Sequence, residues 1–392
     1  MEERFRFVEE WNSGDWSMTD LCRYYEVTRA TGYKWVDRYE SGGLEALGDQ
    51  SRAPHQHPNA VSSEMEELVI SMRAKHPSWG APKIRAKLES EHGDRKFPAE
   101  STIGEILKRN GLTVSRKRRR TSRRASEPLA HAGASNAVWC ADYKGWFRAG
   151  DGTRIDPLTI TDAYSRYLFR CQALKAADYA HSQPVFEAAF REYGLPDRIR
   201  TDNGAPFGSN GESGLTGLSV WWIKLGIVPE RIEPGKPQQN GRHERMHRTL
   251  KQETACPPAS SRRTQQERFD QFRREYNEER PHQALGQKTP ANYYEPSVRV
   301  YPGRPREVEY ASGCEVRRVA SGGQMRWAGD YVFVAHALQG EPVGLEQVDD
   351  RHWRVWFSFY EIGVLDVAKL VIRRPEKHPP TVPDGEIGGS GF

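Results

Sequence analysis

The chain holds 392 residues, 36% hydrophobic and 28% charged, with 58 Lys+Arg against 53 Asp+Glu for a formal net charge of +5. That length holds about two to four domains, no run approaches the roughly 18 apolar residues of a membrane span, and Met1-Glu2-Glu3-Arg4 lacks the apolar core of a secretory signal. The five cysteines (Cys22, Cys140, Cys171, Cys256, Cys314) are scattered, with no pair at zinc-ligand spacing, so neither a disulfide framework nor a zinc finger is indicated.

Residues 1–55 read as short helices joined by turns. Ser17 with Asp20 three positions on resembles a capping box opening a helix through Tyr24. Thr28 caps a second helix to about Tyr39, which Gly42-Gly43 stops. Two helices across a short break make a helix-turn-helix candidate, with Arg29, Tyr33, Lys34 and Arg38 facing outward as base readers. Such pairs also serve as plain packing units.

A second helix-turn-helix-like domain is expected over 60–113. Ser63 with Glu66 reads as another capping box, with Met65, Leu68, Val69 and Met72 at helical spacing. Helices over 82–88 and 99–108 follow, the last closed by Asn110-Gly111. Residues 1–110 carry 16 Lys/Arg against 19 Asp/Glu, after which Arg116, Lys117, Arg118, Arg119, Arg120, Arg123 and Arg124 place seven cations within nine positions. Such a block seeks a polyanion, and its place in a linker over 114–134 suits a tether that follows a phosphate backbone.

From 135 to 256 the pattern turns α/β. Strands are expected at 137–143, 154–163 and 167–173, a helix over 176–193, a strand at 198–201, a helix near 220–225, a strand at 227–231 and a long helix from Pro237 to about Thr254. That is the element order of the ribonuclease-H architecture. A helical connector is expected over 257–299, a small β-barrel of short alternating strands over 300–375, and a disordered Pro/Gly-rich tail over 376–392.

Three carboxylates stand out by placement: Asp142 on the first strand of the α/β region, Asp202 at the carboxyl end of the fourth, and Glu244 in the last helix. In this architecture the first and fourth strands are neighbours, so the three acids converge at one sheet edge. Carboxylates brought together repel unless a cation sits between them. Two Mg²⁺ ions, with Mn²⁺ as a substitute, meet that need and can activate a water or a 3′-hydroxyl against a phosphodiester. Arg248 and Lys251, at i+4 and i+7 from Glu244, share its helical face and would meet substrate phosphates together with Lys236 in the preceding polar loop. Asp162, Asp151 and Asp156 read as turn residues.

At these residues the sequence resembles the insertion-sequence transposases of the DDE superfamily, which share a catalytic core with retroviral integrases. The matching blocks are AVWCADYKG (137–145), PLTITDAYSRY (157–167), RTDNGAPF (200–207), GIVPERIEPGKPQQNGRHERMHRTLK (226–251) and YNEERPHQAL (276–285). The resemblance implies that Asp142, Asp202 and Glu244 are the metal-binding catalytic acids. It further implies 3′-end hydrolysis and strand transfer of transposon ends into target DNA by a homo-oligomer, in a cytoplasmic, nucleoid-associated setting without a membrane. The Asp202–Glu244 separation of 42 positions is longer than the family's usual spacing, the surplus falling in the Gly/Ser-rich stretch 208–217; Glu230 or Glu233 is the fallback. Two other readings compete: a DNA-binding regulator whose core no longer reacts, and a nuclease that only hydrolyses.

Overall fold

The structure, a computed structural model, describes residues 1–49, 61–113, 131–209, 213–232 and 241–374, the side chain of Arg242 excepted. The expected phosphate-following run 116–124, Lys236, the start of the last core helix at Pro237 and the tail 376–392 lie outside the described residues. Contacts divide the chain into two compact units, Met1–Ser62 and Ser63–Phe392. Among the described residues no helix is long and apolar enough to cross a membrane.

The first unit is three helices: α1 (Glu2–Asn12), α2 (Met18–Tyr24) and α3 (Arg29–Ala46). Ser17 accepts from the Asp20 amide and Thr28 from the Thr31 amide, so both expected caps form. Phe7, Val8, Leu21, Cys22 and Val36 fill the core. Gly32 lets α3 approach closely: a Cβ there would come within 2.6 Å of Cys22 Sγ and 2.8 Å of the Phe7 ring. The helical assignment runs past the expected stop to Ala46, with the break itself at Gly43, whose φ of 64° is non-helical.

In the second unit, α4 (Ser63–Lys75), α5 (Ala81–Glu91) and α6 (Glu100–Arg109) pack around Val69, Ile84, Leu88, Ile103 and Ile106. The expected Ser63–Glu66 capping box is not what forms. Ser63 is already helical, and Glu66 accepts from Arg109 and Asn110 at the end of α6, a long-range charge-assisted contact in place of a local cap.

The core sheet comprises β1 (Val138–Tyr143), β2 (Phe147–Arg148), β3 (Arg154–Asp162), β4 (Leu168–Leu174), β5 (Arg198–Thr201) and β6 (Val228–Arg231). Its order is β4-β3-β1-β5-β6, with β2 against the start of β3; β1-β3-β4 run antiparallel, and β5 and β6 join in parallel. This is the ribonuclease-H-like arrangement expected from the element order. One face packs on α7 (Tyr179–Tyr193) and α8 (Gly217–Lys224) through Trp139, Phe186, Phe190 and Trp222. The other packs on α9 (Gly241–Thr254) and α10 (Arg262–Arg274) through Met246, Leu250, Phe269 and Phe272.

The connector belongs to this core. On α10, Gln266 accepts from the Ala173 amide and donates to the Cys171 carbonyl. Asn277, in the π-helical turn Glu275–Glu279, does the same for Leu168. Side-chain amides thus satisfy the backbone along the edge of β4, which otherwise would offer an open pairing edge.

The C-terminal region is β-rich, as expected. β7 (Glu315–Arg318), β10 (Pro342–Gln347), β11 (His352–Phe357), β12 (Tyr360–Asp366) and β13 (Val371–Arg373) form an antiparallel sheet in the order β13-β12-β11-β10-β7. β8 (Gln324–Trp327) and β9 (Asp330–Phe333) form a separate hairpin that lies beside β7 and β13. Against the expected barrel, the ladder hydrogen bonds among the described strands do not close a ring; the hairpin meets the ends of the sheet by packing.

Two turn assignments hold and one does not. Asp151 accepts from the Thr153 amide, and buried Asp162 accepts from the Asn136 amide and from the Ser165 amide and hydroxyl. Asp156 is no turn residue: it is buried within β3 and takes a two-bond ion pair from Arg154, its neighbour on the same strand face.

Candidate active site

Parallel pairing sets Ala141 on β1 opposite Thr201 on β5. The next residues, Asp142 and Asp202, therefore come level at the carboxyl end of the sheet's central strands. Asp142 is buried, with Thr159 behind it: the Thr159 hydroxyl lies 3.1 Å from the Asp142 carbonyl oxygen, to which it donates, and 2.7 Å from His247 Nε2. His247 Nδ1 stands 3.8 Å from Asp142 Oδ2. Burial, with nearby His243 and Lys144, pushes the His247 imidazole down to about 2. The ring is therefore neutral near pH 7 and offers Asp142 no positive charge.

Asp202 is half-buried, and burial raises its carboxyl above the usual range. Among the described residues its hydrogen bond is a long one, 3.3 Å, from the Gly204 amide. Gly204 keeps the space beside it open: a Cβ there would sit 3.1 Å from Asp202 Oδ2. Such a carboxylate, drawn from water with little to compensate it, beside a second carboxylate and a neutral imidazole, suits a hard divalent cation with oxygen ligands.

Glu244 lies in the first described turn of α9 and is exposed. α9 divides cleanly. His243, Met246, His247 and Leu250 face the sheet, while Glu244, Arg245, Arg248 and Lys251 face solvent. The fold thus brings Asp142 and Asp202 together and sets Glu244 on the outer face of the adjoining helix. Among the described residues no three His, Cys, Asp or Glu side chains converge to hold a metal ion. Of the alternatives, Glu230 is engaged in an ion pair with Arg200 at 2.6 Å, and Glu233 lies outside the described residues.

The far end of α9 is anchored. Glu253 accepts from Arg280 at 2.7 Å and from the Ser78 hydroxyl, and His76, buried and stacked on Trp79, meets Glu275 at 2.8 Å. The helices 63–109 are therefore fastened to the same elements that carry Glu244. In the first unit Arg29, Tyr33 and Lys34 are exposed and Arg38 is half-buried. Sequence reasoning passed over His243 and His247; their i, i+4 spacing with Met246 and Leu250 on one apolar helix face was the available signal.

Comparison with known proteins agrees along the chain. Residues 3–55 match a helix-turn-helix domain, 31–107 a homeodomain-like domain, 132–237 and 225–290 two integrase core domain models, and 314–372 the C-terminal domain of IS481 family transposases. An uncharacterized 31.7 kDa protein of insertion element IS407 from Burkholderia multivorans is 25% identical over 244 residues, covering 60% of this chain and 82% of that one. The transposase InsD of insertion element IS2D from Escherichia coli is 24% identical over 290 residues, covering 71% and 91%. Among solved structures, the catalytic core domain of HTLV-2 integrase in complex with magnesium is 16% identical, covering 42% of this chain and 99% of that one at a TM-score of 0.33.

Proposed function

The chain belongs to the insertion-element transposases built on an integrase core, and we propose that Asp142, Asp202 and Glu244 are the reacting centre with which it joins element ends to target DNA. The observation that carries this reading is the β1–β5 register that sets two carboxylates side by side at the end of the sheet. When bound between these acids, two Mg²⁺ ions would activate the attacking water or 3′-hydroxyl and neutralise the departing oxygen.

The chain's own residues supply position. Asp142 is fixed on a buried central strand, with the Thr159–His247 pair packed beneath it. Asp202 is fixed by the tight Asn203-Gly204 turn, and Glu244, on the solvent face of the first described turn of α9, would be drawn to the same edge by the ions. Arg248 and Lys251, exposed on that face, hold the substrate backbone by charge and so orient the scissile phosphodiester. Arg29, Tyr33, Lys34 and Arg38 read the element end from the first unit, while the cations of 116–124 and Lys236 add sequence-independent affinity. The C-terminal sheet and its hairpin act as a small barrel closed by packing, and two copies hold the two ends.

The test is a joining assay with purified protein, a labelled element end, a plasmid target, and Mg²⁺ or EDTA. Metal-dependent joined product, absent in Asp202→Asn, is expected. Tight end binding without joining under any divalent ion would favour a regulator, and nicking without joining a nuclease.

A further inference from the structure

A cavity of about 360 Å³ opens beside the core, walled by Ala132, Tyr164, Arg166, Leu285, Gly286 and Tyr293. Arg166 is the unusual member. It follows β3 in a tight turn, with its backbone in the left-handed region at a φ of 68°, strained for a residue with a side chain, and its amide donates to Asp162 O at 3.1 Å. The turn drives the side chain inward. Arg166 Nε is enclosed and without a hydrogen-bond partner among the described residues, while the residue as a whole is half-buried. Asp162, a carboxylate that acts on the guanidinium from nearby, has both oxygens hydrogen-bonded to Asn136 and Ser165.

The surroundings add positive charge. Arg245, next to Glu244 on the outer face of α9, is close enough to depress the guanidinium further, and Lys288 lies over the Tyr293 ring at 6.0 Å. Cys140, two residues before Asp142 on β1 and on the same strand face, is among its electrostatic neighbours, so the cavity lies on the side of the sheet that bears the reacting edge. The chain enters the wall at Ala132, shortly after the basic run that ends at Arg124.

An arginine half-withdrawn from water, whose neighbouring carboxylate is hydrogen-bonded to other groups, is an arrangement that an anion would relieve. Exposed Tyr164 and half-buried Tyr293 offer flat faces suited to a sugar or base beside that anion. The geometry points to a phosphate-binding site, in which Arg166, flanked by Lys288 and Arg245, holds a backbone phosphate of the DNA strand that runs past α9 toward the reacting edge. Arg166 is thereby a positioning residue. This rests on the transposase reading, because the phosphate is taken to be that of DNA.

The test is equilibrium binding of a fluorescent duplex of random sequence across a salt series, with thermal melting of each free protein. Arg166→Gln should weaken binding several-fold and flatten the log–log salt slope by about one, the loss of one phosphate contact. Its melting temperature should not fall, because no hydrogen bond is removed. Arg166→Lys should restore most of the slope. Lys288→Gln, at the exposed rim where folding is not at stake, should reduce the slope by less. An unchanged slope in both Arg166→Gln and Lys288→Gln would overturn the inference while leaving the joining reaction untouched. A fall in melting temperature without a slope change would make Arg166 structural and overturn it too. Failure of the wild-type protein to bind duplex would instead sink the transposase reading, and this inference with it.

Discussion

The sheet and the helix that carry the proposed acids are held in opposite ways. Asp142 and Asp202 are placed by a backbone ladder: the β1–β5 register fixes their relative position before any side chain is considered. Glu244 sits on the solvent face of α9, and that helix is anchored at its other end, through Glu253, to Arg280 and Ser78. The sheet is the fixed jaw of the site, set by backbone pairing, and the helix is the second jaw, set by the packing of His243, Met246, His247 and Leu250 on the sheet. Such a division locates where substitutions will have large effects and where small ones.

The largest effect is expected at the fixed jaw. Asp142→Asn or Asp202→Asn should lower joining by about a thousandfold or more, the several kcal/mol a lost metal ligand represents, while end binding measured by gel shift stays near wild type. Binding lost in proportion to joining would mean the aspartates serve the fold. Glu244→Gln should match that loss, whereas Glu230→Gln should leave joining within a fewfold, since Glu230 Oε1 is paired with Arg200 and its Oε2 is enclosed within the protein. The reverse ranking would move the third acid to β6.

A smaller effect is expected at the anchor. Glu253→Ala leaves the Arg280 guanidinium buried without its partner and should lower stability by about 2 kcal/mol, read from the denaturant midpoint. Joining should slow more than binding weakens, because α9 loses its hold on Glu244.

The smallest effect is a pH dependence beside the anchor. Burial, reinforced by Arg280 and only partly offset by Glu253 and Glu275, lowers Lys83 to about 7; neighbouring His282 is likewise pushed down to about 3 and stays neutral. Between about 7 and the ordinary lysine value near 10.5 the unfolded chain binds the Lys83 proton and the folded chain does not, so stability from this group rises with pH across that window. Lys83→Met should raise the melting temperature at pH 6 and flatten its rise above pH 7. A steeper rise in the variant would contradict the assignment.

Much of the fixed jaw was legible in the sequence, because its signals are local. The expected strand at 198–201 is β5 to the residue, since Asp202-Asn203-Gly204 ends it abruptly, and 137–143 misses β1 by one position. What the sequence hid depends on distant partners. Glu66 has the spacing of a cap yet binds Arg109 across the helical unit, and Asp156 has the look of a turn residue yet pairs with Arg154 inside β3. Gln266 and Asn277 lie in a charged, connector-like stretch, and only the fold shows them bonding the edge of β4. The C-terminal sheet was only half visible, because short strands such as β8 and β13 declare themselves by their pairing.

The central claim is that the two jaws together hold two divalent ions. Titrating Mn²⁺ into the protein–DNA complex, with bound ions counted by electron paramagnetic resonance, tests it most directly. The account predicts two ions per reacting centre, fewer in Asp202→Asn, and fewer again when Glu244→Gln is added. Equal stoichiometry in the wild-type protein and both variants would contradict it.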